Sequence, residues 1–203
     1  MYKTMLSIRA FETKAAECFT KGMLAGNIHL CIGQEAVPTG ACYALEPEDY
    51  MTSTHRGHGH CIAKGASLDK MLAELFGKKT GYCQGKGGSM HIADVAGLHS
   101  LGANGIVGAG IPIAAGSALV SKIKGDKHVT LCFFGDSASN QGTFHEAVNM
   151  ASICSSQAVI ALFISPAVCR NRFFVLEVTR PSSSFHFSGS ILYPTRKSTR
   201  YPA

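Results

Sequence analysis

The sequence of 203 residues contains 8 cysteines but no pair of them at C-x-x-C spacing. This scatter argues against a disulfide scaffold and a zinc ribbon, and it favours free thiols in a reducing, cytoplasmic setting. The sequence also lacks an apolar run long enough to cross a bilayer, and its first ten residues lack the apolar core of a signal peptide. We therefore expect no membrane partner.

A basic helix interleaved with aromatic residues is also lacking, so we do not expect nucleic-acid binding. The formal net charge is +6, but the segment from Cys154 onward carries +5 of it and residues 1–153 carry only +1. Of the 22 glycines, only Gly189 lies beyond Ile153, and serine becomes frequent there. The sequence therefore predicts one domain over 1–153 and a divergent, partly disordered tail over 154–203, without periodicity from Arg180.

Apolar spacing and capping residues predict helices before and after a long glycine-rich stretch, Gly81–Gly110, which we expect to be irregular. Ile8, Phe11, Ala15 and Phe19 lie at helical spacing, and Gly22 suits the position after the helix. The predicted helices are Met5–Lys21, Gln34–Leu45, Leu68–Phe76 with Ser67 as N-cap, and Pro112–Lys122.

The clearest pattern is a buried strand followed by a turn, a helix and another strand. His128–Phe134 is apolar, Gly135-Asp136-Ser137 follows it, Gln141–Ile153 is helical, and Val159–Ile164 is the next strand. This order predicts an α/β fold with a partial, doubly wound parallel sheet. Ligands of such sheets bind beyond the carboxyl ends of the strands, where Asp136 lies.

A carboxylate at a strand end, next to a helix N-terminus, suits a magnesium ion whose diphosphate partner is held by backbone N–H groups. The alternative is that Asp136 only caps the following helix. His55-Arg56-Gly57-His58-Gly59-His60 places three histidines beside an arginine, which is suited to bidentate phosphate contact. A zinc site and a polar surface loop are the alternatives for this segment, although its spacing lacks a zinc-finger register.

Gly85–His91 (GKGGSMH) fails the Walker pattern, and the G-x-G-x-x-G fingerprint is absent. His29 has a plain alternative as a buried, hydrogen-bonded histidine.

Together these segments resemble one family. The similar motifs are His29–Ala36 (HLCIGQEA), Ser53–His60 (STHRGHGH), Gly85–His91 (GKGGSMH), Asn104–Ala109 (NGIVGA) and Gly135–Gly142 (GDSASNQG). They resemble, in order, the alpha subunit of the first component of thiamine-diphosphate-dependent 2-oxo acid and acetoin dehydrogenases, up to about Ile153. The STHRGHGH spelling favours acetoin dehydrogenases and their bacterial pyruvate relatives.

The resemblance implies a thiamine-diphosphate-binding type of α/β sheet that holds thiamine diphosphate and Mg²⁺. It implies that Arg56 binds the diphosphate beside His55, and that Asp136 ligates Mg²⁺ with Ser137 and Ala138 near the diphosphate. Gly105 and Val107 would contact the aminopyrimidine through their backbone, and His29 and His58 would face the substrate. The implied reaction cleaves a C–C bond next to a carbonyl in acetoin or pyruvate (a 2-oxo acid). The implied partners are a beta subunit, which supplies a glutamate and completes a heterotetramer, and a lipoyl acyltransferase that receives the acyl group.

Two departures from the family pattern concern the metal and the diphosphate. Ser137 stands where the family has a second glycine, and the Asn-Asn pair expected after the next strand is absent, with Ile164 and Ser165 near its place. Together with the change after Ile153, this suggests a truncated chain whose tail is out of frame. The alternative function is then a non-catalytic remnant of such a subunit, and a basic interaction module in the tail is a third hypothesis.

Overall fold

Five short strands form one sheet in the order β2-β1-β3-β4-β5. The computed structural model describes residues 1–154 and the backbone of two further strands, 158–163 and 173–177. The first four strands are parallel, and β5 is antiparallel to β4. The strands are β1 Tyr50–Thr54, β2 Ser100–Asn104, β3 Thr130–Phe134, β4 Ala158–Phe163 and β5 Phe173–Glu177. The helices are α1 Tyr2–Thr20, α2 Ala36–Tyr43, α3 His58–Ala63, α4 Leu68–Leu75, α5 Gly110–Lys124 and α6 Gly142–Ile153, with a 3-10 turn at Ala138–Asn140.

Strand β3 lies in the middle of the sheet and is buried on both faces. Leu131 and Phe133 point into a core formed with α1, α3 and α4, whereas Cys132 and Phe134 point into a second core formed with α5 and α6. A strand covered on both faces has a continuous apolar sequence, which is why TLCFF predicted it. The α/β fold is confirmed, and β4 is the predicted next parallel strand.

The predicted helices are present, with small shifts at their ends. Helix α1 begins three residues before the predicted start and ends where Gly22 takes a φ of +69°. The Met23 N–H donates to the Cys18 carbonyl oxygen at 3.0 Å, which satisfies one of the last carbonyls of the helix. Ile8, Phe11 and Ala15 are buried as predicted, but Phe19 is 38% exposed. Ser67 is the N-cap residue of α4, although its side chain makes no capping hydrogen bond.

The expectation that Gly81–Gly110 is irregular throughout is wrong, because β2 lies inside it. Strand β2 has the sequence SLGAN, and Gly102 within it has a φ of +122°, so neither alternation nor an apolar run marks it. Strand β1, YMTST, was not predicted either, and its buried positions include Thr52 and Ser53. Both strands are held by their parallel pairing rather than by their own composition.

The predictions for the tail fall mostly outside the described residues. The structure assigns β4 and β5 between 158 and 177, and the disorder predicted from Arg180 lies beyond the described part of the chain. None of the described helices is long and apolar enough to cross a membrane.

Candidate functional site

Three loops leave the sheet at the same edge, one after each of the strands β1, β2 and β3. Thr54 pairs with Asn104 and Thr52 pairs with Cys132 in parallel register, so the carboxyl ends of these strands are neighbours. The loops begin with His55-Arg56 after β1, Gly105 after β2 and Gly135-Asp136 after β3. Segments that are up to 81 positions apart in sequence, from His55 to Asp136, are thereby brought to one edge.

The strand order reverses direction at this edge. From β1 the chain moves to β2 on one side, and from β2 it crosses to β3 on the other side of β1. Such a reversal leaves a crevice between the carboxyl ends of β1 and β3, where open α/β sheets bind their ligands. His55-Arg56 and Gly135-Asp136 border this crevice.

Asp136 is exposed, and its carboxylate has no hydrogen-bond or ion-pair partner within residues 1–154. The alternative that it caps the following helix is wrong, because the N-cap of the 3-10 turn is Ser137 and that of α6 is Gln141. Only the backbone carbonyl of Asp136 is engaged, accepting the Ser139 N–H at 3.2 Å. The side chain is thus left available to a cation.

Ser137 and Ala138, which the family resemblance implies lie near a diphosphate, differ in accessibility. Ala138 is 2% exposed, and its N–H donates to the Gly135 carbonyl oxygen at 3.1 Å. Ser137 is exposed beside Asp136. Of the two, Ser137 is the residue that presents itself to a ligand in the crevice.

Arg56 is half-buried, and its Nη1 donates to the Leu30 carbonyl oxygen at 2.9 Å. This bond ties the loop after β1 to the segment that carries His29. The rings of His29 and His55 meet edge to face, with their centroids 4.9 Å apart. Burial lowers the pKa of both histidines, and the nearby positive charge of Arg56 lowers it further.

The lowered pKa values favour the neutral form of both histidines at pH 7. Arg56 is then the cation beside the two rings. His29 Nδ1 lies 3.0 Å from the Ile28 carbonyl oxygen. Because a carbonyl only accepts, Nδ1 carries the proton and Nε2 keeps its lone pair. His29 is thus half-buried and hydrogen-bonded at Nδ1, close to its plain alternative, and among the described residues its Nε2 has no hydrogen-bond partner.

His58 lies elsewhere than the other predicted residues. It is fully buried in α3, where Nδ1 lies 3.2 Å from both carboxylate oxygens of Glu12 and Nε2 lies 3.0 Å from Ser89 Oγ. His60 is also buried, so the alternative of a polar surface loop for this segment is wrong. Within the described part of the chain, no three histidine, cysteine or acidic side chains are grouped to hold a metal ion.

The loop after β2 is packed between two other segments. A Cβ added to Gly105 would lie 3.0 Å from His91 Nε2, and one added to Gly108 would lie 2.3 Å from Gln141 Oε1. Ile106 and Val107 between them are 71% and 48% exposed. The contact of Gly108 with Gln141 brings this loop against the start of α6, and so places Gly105 and Val107 at the same edge as Asp136.

Sequence reasoning missed Glu74, which organises the glycine-rich segment. This fully buried carboxylate accepts the N–H groups of Cys83, Gly85, Gly87 and Gly88 at 2.8, 2.9, 2.7 and 3.1 Å. The backbone donors that a phosphate would need in GKGG are therefore occupied by the protein's own anion. An acidic residue at the end of a helix that precedes a glycine cluster was the available signal.

Comparison with known proteins gives concordant matches. The sequence model of a family described as "Dehydrogenase E1 component" matches residues 2–173 and so reaches beyond Ile153. The alpha subunit of acetoin:2,6-dichlorophenolindophenol oxidoreductase of Bacillus subtilis is 60% identical over 153 residues, which cover 75% of this chain and 46% of that protein. The protein of the same name from Cupriavidus necator is 47% identical over 162 residues, which cover 80% of this chain and 48% of that protein.

The pyruvate dehydrogenase E1 component subunit alpha of Porphyra purpurea is 44% identical over 158 residues. That match covers 74% of this chain and 46% of the relative. The chain thus spans about half the length of these curated relatives.

Proposed function

This chain belongs to the dehydrogenase E1 component family, and from that premise we propose that it is part of the alpha subunit of a thiamine-diphosphate-dependent dehydrogenase. Its substrate is acetoin or pyruvate. Acetoin is favoured over other 2-oxo compounds by the 60% identity to the Bacillus subtilis relative, whose name specifies acetoin.

The observation that carries the proposal is the convergence of the loops after β1, β2 and β3 at one edge of the sheet. Each of these loops contributes one kind of group: a guanidinium from Arg56, the backbone of Gly105–Val107, whose last two residues are exposed, and from Asp136 a carboxylate without a partner in residues 1–154. A magnesium diphosphate with an attached planar ring needs these three kinds of contact.

In the proposed site, Arg56 binds diphosphate oxygens through its guanidinium, a geometry suited to phosphate. Asp136 ligates Mg²⁺ with its carboxylate, since hard oxygen donors are what this ion prefers. The backbone of Gly105 and Val107 contacts the aminopyrimidine, and Ser137 lies beside the diphosphate. When bound, thiamine diphosphate supplies the nucleophilic carbon and the electron sink for cleaving a C–C bond next to a carbonyl.

The residues fit the metal only in part. Asp136 is a single protein ligand within the described part of the chain, and Ser165, near the place of the expected second ligand, lies outside it. Mg²⁺ usually keeps waters and shares its coordination with substrate phosphates, so one carboxylate is sufficient when the diphosphate is present. Mg²⁺ is therefore expected to bind with the diphosphate and only weakly without it.

His29 faces the substrate in this proposal, as a neutral imidazole whose Nε2 accepts a hydrogen bond. His58, for which the sequence suggested the same role, is instead assigned a supporting one because of its burial. A beta subunit that contributes the activating glutamate and a lipoyl acyltransferase that receives the acyl group complete the proposed complex. Its proposed location is the cytoplasm.

The test is isothermal calorimetry of the full chain with thiamine diphosphate and Mg²⁺, alone and with a beta subunit. Asp136→Ala is compared with Glu48→Ala, an exposed acid two residues before β1 and hence at the opposite edge of the sheet. We expect Asp136→Ala to weaken binding at least about tenfold, the effect of losing one charge-assisted contact of about 1.4 kcal/mol or more, and Glu48→Ala to leave it unchanged.

If the wild-type chain fails to bind even with a beta subunit present, the chain is a non-catalytic remnant of the family. The absence of the Asn-Asn pair is the observation that favours this second function.

A further inference from the structure

A buried series of hydrogen-bonded polar groups joins four segments of the protein, one of which carries His29. It starts at Glu12 in α1, continues through His58 in α3 to Ser89 in the glycine-rich segment, and ends at the backbone of His29. Glu12 and His58 are completely inaccessible, and Ser89 is 7% exposed. Polar groups this deeply buried require hydrogen-bond partners. The donor and the acceptor at each bond of the series can therefore be assigned.

The direction of each hydrogen bond follows from what each atom can donate. The Ser89 oxygen accepts the His29 backbone N–H at 3.1 Å, so the Ser89 hydroxyl proton goes to its other partner, His58 Nε2, at 3.0 Å. An accepting Nε2 leaves the ring proton on Nδ1, which donates to the two Glu12 carboxylate oxygens, each at 3.2 Å. Each of the three polar side chains in the series thus has a hydrogen-bond partner.

We propose that Glu12, His58 and Ser89 form a positioning relay that fixes the backbone of His29 without touching any ligand. The ring of Phe11 stands edge-on to His58 with centroids 5.8 Å apart and supports the imidazole from the side of α1. Gly59 in α3 lies very close to the segment that follows His29. A Cβ added to Gly59 would lie 2.8 Å from the Sγ of Cys31, two residues after His29. The relay thus connects helices α1 and α3 to the segment that carries His29.

Ser89 is delivered to this position by the carboxylate of Glu74, which holds Gly87 and Gly88 immediately before it. Glu74 therefore holds the backbone just before Ser89, and the Ser89 hydroxyl lies within hydrogen-bond distance of both His58 and His29. The same order of acid, histidine and serine occurs in nucleophilic triads. Here the serine oxygen is buried and already accepts a backbone N–H, which suits positioning rather than attack.

The first test reads the proton on His58 by long-range ¹H–¹⁵N correlation on the full chain at neutral pH, without any cofactor. The proposal predicts a neutral ring with the proton on Nδ1, and the same tautomer in Glu12→Gln, whose amide oxygen still accepts. A proton on Nε2, or a doubly protonated ring, would overturn the assignment.

The second test measures hydrogen exchange of the His29 amide. Ser89→Ala removes its acceptor, so exchange should rise about tenfold, the effect expected for one lost hydrogen bond. Ser67→Ala is the matched control, because Ser67 is exposed and its side chain makes no capping bond. Equal exchange in the two variants, or labelling of Ser89 by a fluorophosphonate, contradicts a positioning role.

The assignment of His29 to the substrate side rests on the proposed function, whereas the relay itself does not. In calorimetry, Ser89→Ala should therefore keep thiamine diphosphate affinity within about twofold, since positioning His29 is not a cofactor contact, while Asp136→Ala loses it. If the wild type binds no cofactor, the proposed function fails. The ¹H–¹⁵N correlation of His58 and the hydrogen exchange of the His29 amide need no cofactor, so they still decide the relay. A large loss of cofactor affinity in a folded Ser89→Ala chain would contradict the relay's restriction to His29.

Discussion

Glu74 is an example of a buried charge that is balanced by backbone dipoles instead of a cation. Each of its oxygens accepts two N–H groups, Oε1 from Gly87 and Gly88 and Oε2 from Cys83 and Gly85. Removing the carboxylate would leave up to four buried donors unpaired, and each such loss is costly.

Glu74→Gln should therefore destabilise the chain although its size is unchanged. The amide NH₂ would face two N–H donors, and losing two bonds to a charged acceptor costs about 3 kcal/mol or more. Urea unfolding of the variant measures this loss, and Glu48→Gln, at an exposed position, serves as the control. A change in the free energy of unfolding below about 1 kcal/mol would mean that the carboxylate does not hold the loop.

His60 gives the fold a pH dependence. Its Nδ1 donates to the Arg56 carbonyl oxygen at 3.2 Å, and its ring packs on Phe133 at 4.3 Å between centroids. Burial lowers the pKa of His60 from 6.5 to about 4. The unfolded chain then binds more protons than the folded chain between pH 6.5 and pH 4, so stability is complete above this window and is lost as the pH falls through it.

We expect the free energy of unfolding to fall by about 3 kcal/mol between pH 6.5 and pH 4 because of His60. His60→Asn keeps a donor for the Arg56 carbonyl but does not titrate, so its free energy of unfolding should fall less steeply between pH 6.5 and pH 4. His145→Asn, at an exposed position in α6, should follow the wild-type curve. Identical slopes for His60→Asn and the wild type would refute the role of this histidine.

Individual site residues were predictable to different degrees. Asp136 and Arg56 could be placed because a strand end or a cationic loop is visible in the sequence. The burial of His58 could not, because it depends on Glu12 and Ser89, which lie 46 positions before and 31 positions after it. Pairings over such distances are set by the packing of helices and have no local signature.

The loop between β2 and α5 depends on close packing of glycine. Gly108 has a φ of +84°, and a Cβ there would meet Gln141 Oε1 at 2.3 Å, whereas a Cβ on Gly116 in α5 would meet nothing within 4 Å. Gly108→Ala should cost about 2 kcal/mol of stability through backbone strain alone. Gly116→Ala should be neutral or add up to about 1 kcal/mol, as a helical glycine replaced by alanine does.

Thermal unfolding of these two variants checks the left-handed backbone of Gly108. The opposite order of stability, with Gly108→Ala above Gly116→Ala, would show that Gly108 does not hold a positive φ.

Among the elements, β3 was predictable because burial on both faces requires a run of apolar residues. Helix α6 was predictable because its helical spacing is visible within one segment. Strand β1 was not, because its buried positions carry threonine and serine; Thr52 Oγ1, for example, donates to the Gly110 carbonyl oxygen at 3.2 Å. Small polar residues on β1 let α5 approach the sheet closely, but they leave β1 without an apolar pattern in its sequence. Two of the three strands that position the candidate site, β1 and β2, therefore have sequences with weak strand character.

Over the whole chain, thiol reactivity reports whether the two cores form. Burial raises the pKa of Cys31, Cys42, Cys61 and Cys132 to about 12 in each case. Cys42 and Cys61 belong to the core on the side of α1–α4, Cys31 lies beside Gly59 in α3, and Cys132 belongs to the core with α5 and α6. A thiol that is both inaccessible and protonated reacts slowly with alkylating agents.

Iodoacetamide at pH 8 should therefore leave these four cysteines unmodified in the native chain and modify them in urea, as peptide mass spectrometry would show. Cys83 and Cys154 are partly exposed and should react first among the described cysteines. Rapid native modification of Cys132 would mean that the core between the sheet and α5–α6 does not form.

The proposed site places a metal diphosphate at the carboxyl edge, in the crevice between β1 and β3. The most direct measurement replaces Mg²⁺ by Mn²⁺, which accepts similar oxygen ligands, and records paramagnetic broadening of backbone amide signals of the full chain with thiamine diphosphate. We expect broadening that is centred on Asp136 and Ser137 and extends to Arg56 and Gly105. Broadening centred on Glu48 and Asp49 at the opposite edge, or spread evenly over exposed acids, would contradict it.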